Sequence, residues 1–419
     1  MRTFAVQNLI DMRRIKGKDK SGKSLLCLIL VLLGIAVKGF AQRNDSVVVA
    51  PDSSNFVTAS ILTISPTNEV YSVFGHTAIR MECPVHQLDY VFTFESDPSV
   101  GGFLTFFAGK AKARFMAVPT NEFLNDIGRI GRGIKQYELN LTHHEKQELW
   151  RNLDNDMVAG AHRKFNLLVN NCVSMTVLKL HQSCIDEHLE WGQKEWPLTE
   201  SNAVQVAYYC RNSPWMRFMS LTFAGTALDK EYDIEYHISP DLIVPALQKA
   251  TFVSTKDGGR RKVITDKGKE LLPEKVEIKQ SPVTPSLLFG SILVLTLFLT
   301  FAEWRWNLKK VAHVLDIVLL TMQSLCGILL VYITYVSEIF GTTWNWFLIP
   351  FNPIPLILWF CFQKRKNYGR VYLLYTVVLV VFLFLTPFVS QLDWEHQLIT
   401  VILAVRCIYN YYLYKVAKI

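Results

Sequence analysis

Phe165-Asn166-Leu167-Leu168-Val169-Asn170-Asn171-Cys172-Val173-Ser174, continued by Met175-Thr176-Val177-Leu178-Lys179-Leu180, decides how the rest of the chain is read. Val173, Thr176/Val177, Leu180 and Cys184 recur at the spacing of one helix face. Asn is a favoured N-cap, so the paired asparagines start a helix at about Cys172, predicted to run to Leu189. A thiol in a first helical turn meets unpaired backbone N–H groups and the positive end of the helix dipole, and both favour the thiolate. Cys172 is therefore a candidate nucleophile. The alternative is a small buried hydrophobe opening an amphipathic helix, and it prevails unless a base stands nearby.

The candidate base lies upstream, in Tyr71-Ser72-Val73-Phe74-Gly75-His76-Thr77-Ala78-Ile79-Arg80-Met81. This reads as a turn at Gly75 and then a strand, with His76, Ala78 and Arg80 on one face and Thr77, Ile79 and Met81 on the other. Further strands are predicted at 56–64 and 89–94, and helices at 121–128 and 142–158. An imidazole at a strand end can reach a neighbouring helix N-terminus, and its pKa suits proton shuttling. His86, His143, His144, His162, His181, His188 and His237 sit mostly in charge-rich stretches and read as surface residues. Thr142-His143-His144-Glu145 fits a capping box, which makes the two histidines a first-turn pair; no third ligand is spaced for zinc. No metal and no cofactor is expected.

Half of the 419 residues are hydrophobic, but they are unevenly distributed, which points to a membrane protein rather than one large soluble core. Arg13, Arg14, Lys16, Lys18, Lys20 and Lys23 precede an apolar run from Leu25 to Val37 and then Gly39-Phe40-Ala41. That order describes a secretory signal peptide over 1–41, cut after Ala41; the alternative is a retained anchor. Either way the next part is exported. Residues 42–254 form a domain of ordinary size, and 255–282 a charged connector, extended or partly disordered. Cys83, Cys172, Cys184 and Cys210 are an even set that permits disulfides in an oxidising compartment without demanding them.

Residues 283–419 carry five apolar segments of roughly spanning length, at 283–302, 311–336, 346–362, 371–389 and 398–414. Arg305, Lys309 and Lys310 fall in the first loop, Lys364, Arg365, Lys366 and Arg370 in the third, and Lys415 and Lys418 at the tail. The second and fourth loops hold Glu338, Asp393 and Glu395 and no Lys or Arg. With the soluble domain outside, every basic loop lies inside, as the positive-inside rule requires. This orientation accounts for the net charge of +8, and nothing resembles a nucleic-acid module. Arg406 near mid-span needs a partner or a cavity. The stretch Thr342-Thr343-Trp344-Asn345-Trp346 through Asn352-Pro353 predicts irregular backbone lining a polar cavity that faces the exported domain.

Ser72 to Arg80, Phe106-Phe107-Ala108-Gly109-Lys110, Leu139-Asn140-Leu141-Thr142, Asn170-Asn171-Cys172-Val173-Ser174, Arg211-Asn212-Ser213-Pro214-Trp215 and Asn345…Asn352-Pro353 form an ordered set. The set resembles the Lnb-type lipoprotein N-acyltransferases of the Bacteroides group over nearly the whole mature chain. The resemblance implies an α+β fold: a permuted papain-like (NlpC/P60-related) exported domain, with the His strand before the Cys helix, followed by an all-α bundle of five transmembrane helices. It implies Cys172 as nucleophile, His76 as general base and acid, and Thr93 as a possible orienter of His76. Asn171, Arg80, Trp344, Asn345, Asn352 and Arg406 are the expected substrate contacts. The partners implied are a phospholipid acyl donor and diacylglyceryl lipoproteins at the inner membrane. Relatives tend to carry Asn-Tyr-Gly where this chain has Thr93-Phe94-Glu95, and often an Arg where Met175 stands.

Two other readings use the same residues differently. A periplasmic Cys/His hydrolase, acting on cell wall or phospholipid, differs only in that water reaches the thioester. A membrane-tethered assembly protein leaves Cys172 structural and its thiol inert.

Overall fold

Three neighbouring strands, β1 (Thr58–Ile64), β2 (His76–Cys83) and β3 (Leu88–Ser96), pair antiparallel so that Ile61, Ile79 and Phe92 stand in one row. Their alternation puts Ile61, Ile79, Met81 and Phe92 into one core while Leu62, Ala78 and Val91 point into a second. The computed structural model describes residues 57–67, 69, 72–97, 103–166, 170–193, 200–229, 240–277, 281–339, 342, 344–357, 368–389 and 391–416. The predicted signal peptide and the first residues of the exported region lie outside these.

After β3 come α1 (Phe103–Phe107), β4 (Lys112–Pro119), α2 (Thr120–Ile130), β5 (Ile134–Glu138), α3 (His143–Val158), β6 (Arg163–Lys164), α4 (Cys172–Ser183) and β7 (Glu187–Glu190). Then follow α5 (Asn202–Tyr209), α6 (Pro214–Phe223), α7 (Pro240–Lys249), β8 (Thr251–Ser254), β9 (Arg260–Lys262) and β10 (Lys269–Leu272). Seven of the described strands make one sheet, in the order β10-β5-β1-β2-β3-β4-β6, and β7-β8-β9 make a second. Leu149 and Leu153 of α3, Val173, Met175, Val177 and Leu180 of α4, and Ile243 and Leu247 of α7 fill the first core. Phe123 of α2 closes the other face. The domain is α+β, with the large sheet covered on both sides.

Two expectations are corrected. The helix starting at Cys172 ends at Ser183, because Cys184 turns extended and Glu187–Glu190 pairs with Thr251–Ser254. The stretch read as a charged connector instead supplies β9 and β10. Arg261 stacks on Phe252 at 4.3 Å and pairs with Glu145 and Glu187, so its charge is spent inside the domain. Lys269–Leu272 pairs with β5 as the edge of the large sheet. Cys83, Cys172, Cys184 and Cys210 are all free thiols.

The C-terminal region contributes α8 (Pro285–Trp306), α9 (Lys309–Tyr335), α10 (Tyr368–Leu385) and α11 (Trp394–Val416). Among the described residues three helices are long and apolar enough to cross a membrane: Pro285–Trp306, Lys309–Tyr335 and Gly369–Phe388. α11 is as long but carries Glu395, Arg406 and Lys415. The third predicted segment opens as irregular backbone: a 3-10 turn at Trp346–Leu348, capped by Asn345, then a bend before residues 354–357 become helical. Pro350 and Pro353 remove the backbone donors a continuous helix would use there. Residues 358–362 of that segment lie outside the described ones.

α6 docks the exported domain on the helices. Its Trp215 donates to the Val283 carbonyl at 2.7 Å, and Phe218 packs 5.1 Å from Phe289 of α8. The last carbonyls of α6, which have no partner within the helix, accept from Asn345 (Thr222 at 2.7 Å, Ala224 at 2.9 Å) and from Gln391 (Leu221 at 2.9 Å). Both acidic loops meet cations of the exported domain: Glu338 pairs with Lys110 and Lys164, and Asp393 with Arg217.

Candidate active site

Asn171 holds extended backbone, and its Oδ1 accepts from the N–H groups of Val173 and Ser174, each at 2.8 Å. Ser174 Oγ in turn accepts from the Asn171 N–H at 3.0 Å. This reciprocal box fixes the start of α4 and puts Cys172 in its first turn, as the sequence predicted. The apolar face of α4 is buried in the sheet core, so the helix N-terminus is held against the ends of β2 and β3.

His76 opens β2, directly after Gly75. Gly75 sits at φ +80°, and a Cβ there would come within 2.8 Å of the Ile64 carbonyl oxygen, so only glycine makes this entry to the strand. His76 Nε2 lies 2.6 Å from Thr93 Oγ1, and Thr93 donates to Glu95 Oε1 at 3.0 Å. A hydroxyl has one proton. With that proton on Glu95, Thr93 accepts from Nε2–H, which leaves Nδ1 as the basic nitrogen. Thr93 is 1% exposed, so the contact is shielded from competing water.

The Cys172 thiol is hydrogen-bonded to His76, and the backbone N–H groups of Thr77 and Val173 also donate to the sulfur. Burial alone would push the thiol up, but the imidazolium and these donors outweigh it and hold Cys172 below the ordinary thiol range. Burial likewise opposes charge on His76, yet the thiolate and Glu95 raise it above the usual imidazole value. The two shifts share one cause, the attraction between thiolate and imidazolium, and both favour the ion pair. Cys184 and Cys210 make the contrast: burial without such a partner pushes both up to about 12. The surroundings thus favour the thiol at Cys184 and Cys210 and the thiolate at Cys172.

Two further residues belong to this cluster and were not singled out from sequence. Glu95 follows Thr93 at the spacing that keeps both on one strand face, which was the available signal. Arg132 sits between Gly131 and Gly133 after α2; its Nε donates to the Ser65 carbonyl at 2.6 Å, and its charge interacts with both Cys172 and Glu95. No spacing in the chain links it to Cys172.

The other predicted site residues lie elsewhere. Arg80 grips Asp89 with two hydrogen bonds of 2.8 and 2.7 Å and reaches Gln136 at 2.8 Å, tying β2, β3 and β5 together four residues along the strand from His76. Asn345 caps the 3-10 turn and binds α6, Asn352 turns back on the Ile349 carbonyl at 2.6 Å, and half-exposed Trp344 accepts from the Thr226 N–H at 2.7 Å. Arg406 is buried among Asp316 (2.6 Å), Glu303 (3.1 Å) and Thr300 (3.0 Å), joining α8, α9 and α11. Among the described residues no group of three His, Cys, Asp or Glu side chains is arranged to hold a metal ion.

Two family models match the chain, one described as the Lnb N-terminal periplasmic domain over residues 49–204 and one as the Lnb transmembrane domain over residues 277–417. The chain belongs to the Lnb family. It is accordingly an inner-membrane protein with a large periplasmic domain, in a family of lipoprotein biogenesis. The free thiol site stands in the part matched by the periplasmic model, and the Arg406 cluster in the part matched by the transmembrane model. Neither the curated proteins nor the solved structures gave a match.

Proposed function

We propose that this protein is a lipoprotein N-acyltransferase that carries an acyl chain on Cys172 as a thioester. The observation that carries the reading is the half-buried Cys172–His76 pair, with His76 held by Thr93 and Glu95. In this reading the exported domain is a permuted papain-like thiol fold, since the strand bearing His76 precedes the helix bearing Cys172, and the bundle has five spans.

The Cys172 thiolate attacks an ester carbonyl of a membrane phospholipid. The developing oxyanion meets the Thr77 N–H, which already faces the sulfur, at the positive end of α4. As the carbon–oxygen bond breaks, His76 Nδ1–H gives its proton to the departing glycerol oxygen, and lysophospholipid leaves. The α-amine of a diacylglyceryl-cysteine lipoprotein then attacks the thioester, His76 takes the amine proton, and the carbon–sulfur bond breaks to return the thiolate. Thr93 and Glu95 keep Nε2 protonated throughout. Docking through α6 holds this chemistry at the outer membrane face, where both lipid substrates reside.

The test is mass spectrometry of the N-terminal peptide of a reporter lipoprotein, made in cells depleted of their own N-acyltransferase. A third acyl chain is expected with the wild type and none with Cys172→Ala or His76→Ala. An unmodified amine with all three folded, membrane-inserted proteins would refute acyl transfer and leave a hydrolase.

A further inference from the structure

Arg132 is 8% exposed, yet among the described residues its Nη2 has no hydrogen-bond partner. A guanidinium cannot shed its charge, so a buried nitrogen left without an acceptor is costly unless something else arrives to use it. The surroundings hold the side chain rigidly in this state. Nε is spent on the Ser65 carbonyl at 2.6 Å, while the Gly133 N–H donates to Ser65 Oγ at 2.8 Å and Ser65 N–H to the Gly133 carbonyl at 3.0 Å. The Gly131 carbonyl accepts from the Lys275 N–H at 2.8 Å, and a Cβ on Gly133 would touch Glu274 at 3.0 Å. The residues after β10 thus clamp the loop from behind.

The free nitrogen belongs to the thiol site. Arg132 interacts with Cys172, Glu95 and the exposed Glu69 through charge alone, with no hydrogen bond to any of them. Geometry puts it there as well: Ser65, which holds Nε, directly follows Ile64, and Ile64 pairs with His76 across β1 and β2. We propose that Arg132 receives the phosphodiester of the acyl donor. This rests on the acyl-transfer reading above. In a glycerophospholipid the phosphate lies a few bonds from either ester carbonyl, so an ester at Cys172 brings an anionic oxygen into the neighbourhood of this cation. Guanidinium is the side chain best suited to a phosphodiester, which it engages through planar, charge-assisted hydrogen bonds. Arg132 selects and positions the donor; it is not the acid or base.

Removing a positive charge also weakens the Cys172 thiolate, so a bare loss of rate would not be diagnostic. The donor ratio is. The purified full-length protein is incubated with a phospholipid or with the diacylglycerol of the same acyl chains, and acyl-Cys172 is followed by intact mass. The wild type is expected to acylate at least tenfold faster from the phospholipid. In Arg132→Gln that ratio is expected to fall to about one, with Arg132→Lys in between. A wild type that uses both donors equally would overturn the proposal, even if the variants fail to fold. So would an Arg132→Gln protein that slows with both donors by the same factor. Absence of acyl-enzyme with either donor would refute the acyl-transfer reading itself, and the proposal with it.

Discussion

Nucleophile and bystander cysteines differ in this protein by what touches the sulfur rather than by burial. Cys172 has an imidazole and two backbone N–H donors at its sulfur; Cys184 and Cys210 do not, and burial pushes them up. Among Cys172, Cys184 and Cys210, alkylation by iodoacetamide near neutral pH is therefore expected at Cys172. In His76→Ala the thiol loses the charge that lowers its pKa, so the pH midpoint of alkylation moves upward and the rate at pH 7 falls at least tenfold. An unshifted midpoint would show that His76 does not stabilise the thiolate. Glu95→Gln removes a charge that raises His76, so the imidazolium is expected to lose its proton at lower pH and the alkaline limb of the acylation profile to shift downward. The places of Cys172 in a first helical turn and of His76 at a strand start were readable from sequence because each carries a local signature: Asn-Asn before an apolar period, and Gly before a strand. Arg132 was not, because its place beside Cys172 is made by α2, β1 and the residues after β10, and no local rule spans that separation.

At the scale of elements, α4 depends on its first turn. Asn171 satisfies two N–H donors in a buried place, so Asn171→Ala is expected to destabilise the periplasmic domain by about 1–3 kcal/mol, measured as a fall in the urea midpoint at unchanged m. A shift below a few tenths would show that water replaces the cap. The bundle has its own equivalent in Arg406, whose donors are shared by Asp316, Glu303 and Thr300 from two neighbouring helices. Removing one partner of a buried pair leaves the other charge uncompensated, so Asp316→Ala is expected to cost about 3–5 kcal/mol, seen as a lower melting temperature in detergent. The sequence showed that Arg406 needed a partner or a cavity; it did not show Glu303, which lies just past the first predicted segment. It also missed two elements. The connector carries charges that hide its strands, but Arg261 and Glu187 neutralise each other across strands that are far apart in the chain, and the tail predicted for α4 turns extended because Glu187–Glu190 pairs with Thr251–Ser254.

For the whole molecule, the decisive contacts are those that tie the thiol domain to the membrane helices. α6 ends on carbonyls that Asn345 and Gln391 satisfy, and Gly109 lets α1 approach residues 338 and 339 so closely that any Cβ would collide with their backbone. Asn345→Ala is expected to leave Cys172 alkylation at the wild-type rate, because the site is built inside the periplasmic domain. It should also expose the segment after α6 to limited proteolysis and lower acylation from lipid bilayers several-fold. Equal protease protection in the variant would show that the apolar contacts of Phe218 and Phe223 suffice for docking. The α+β class, the periplasmic-plus-membrane arrangement and the candidate pair Cys172 and His76 were drawn from the sequence alone, because hydrophobic period, loop charge and helix capping act over a few residues and leave their pattern in the chain. Whether the thiol ionises, which cation stands beside it and how the domain meets the membrane were decided only by tertiary structure. Desolvation and charge pairing depend on distance in space, and distant segments converge there without leaving a local mark.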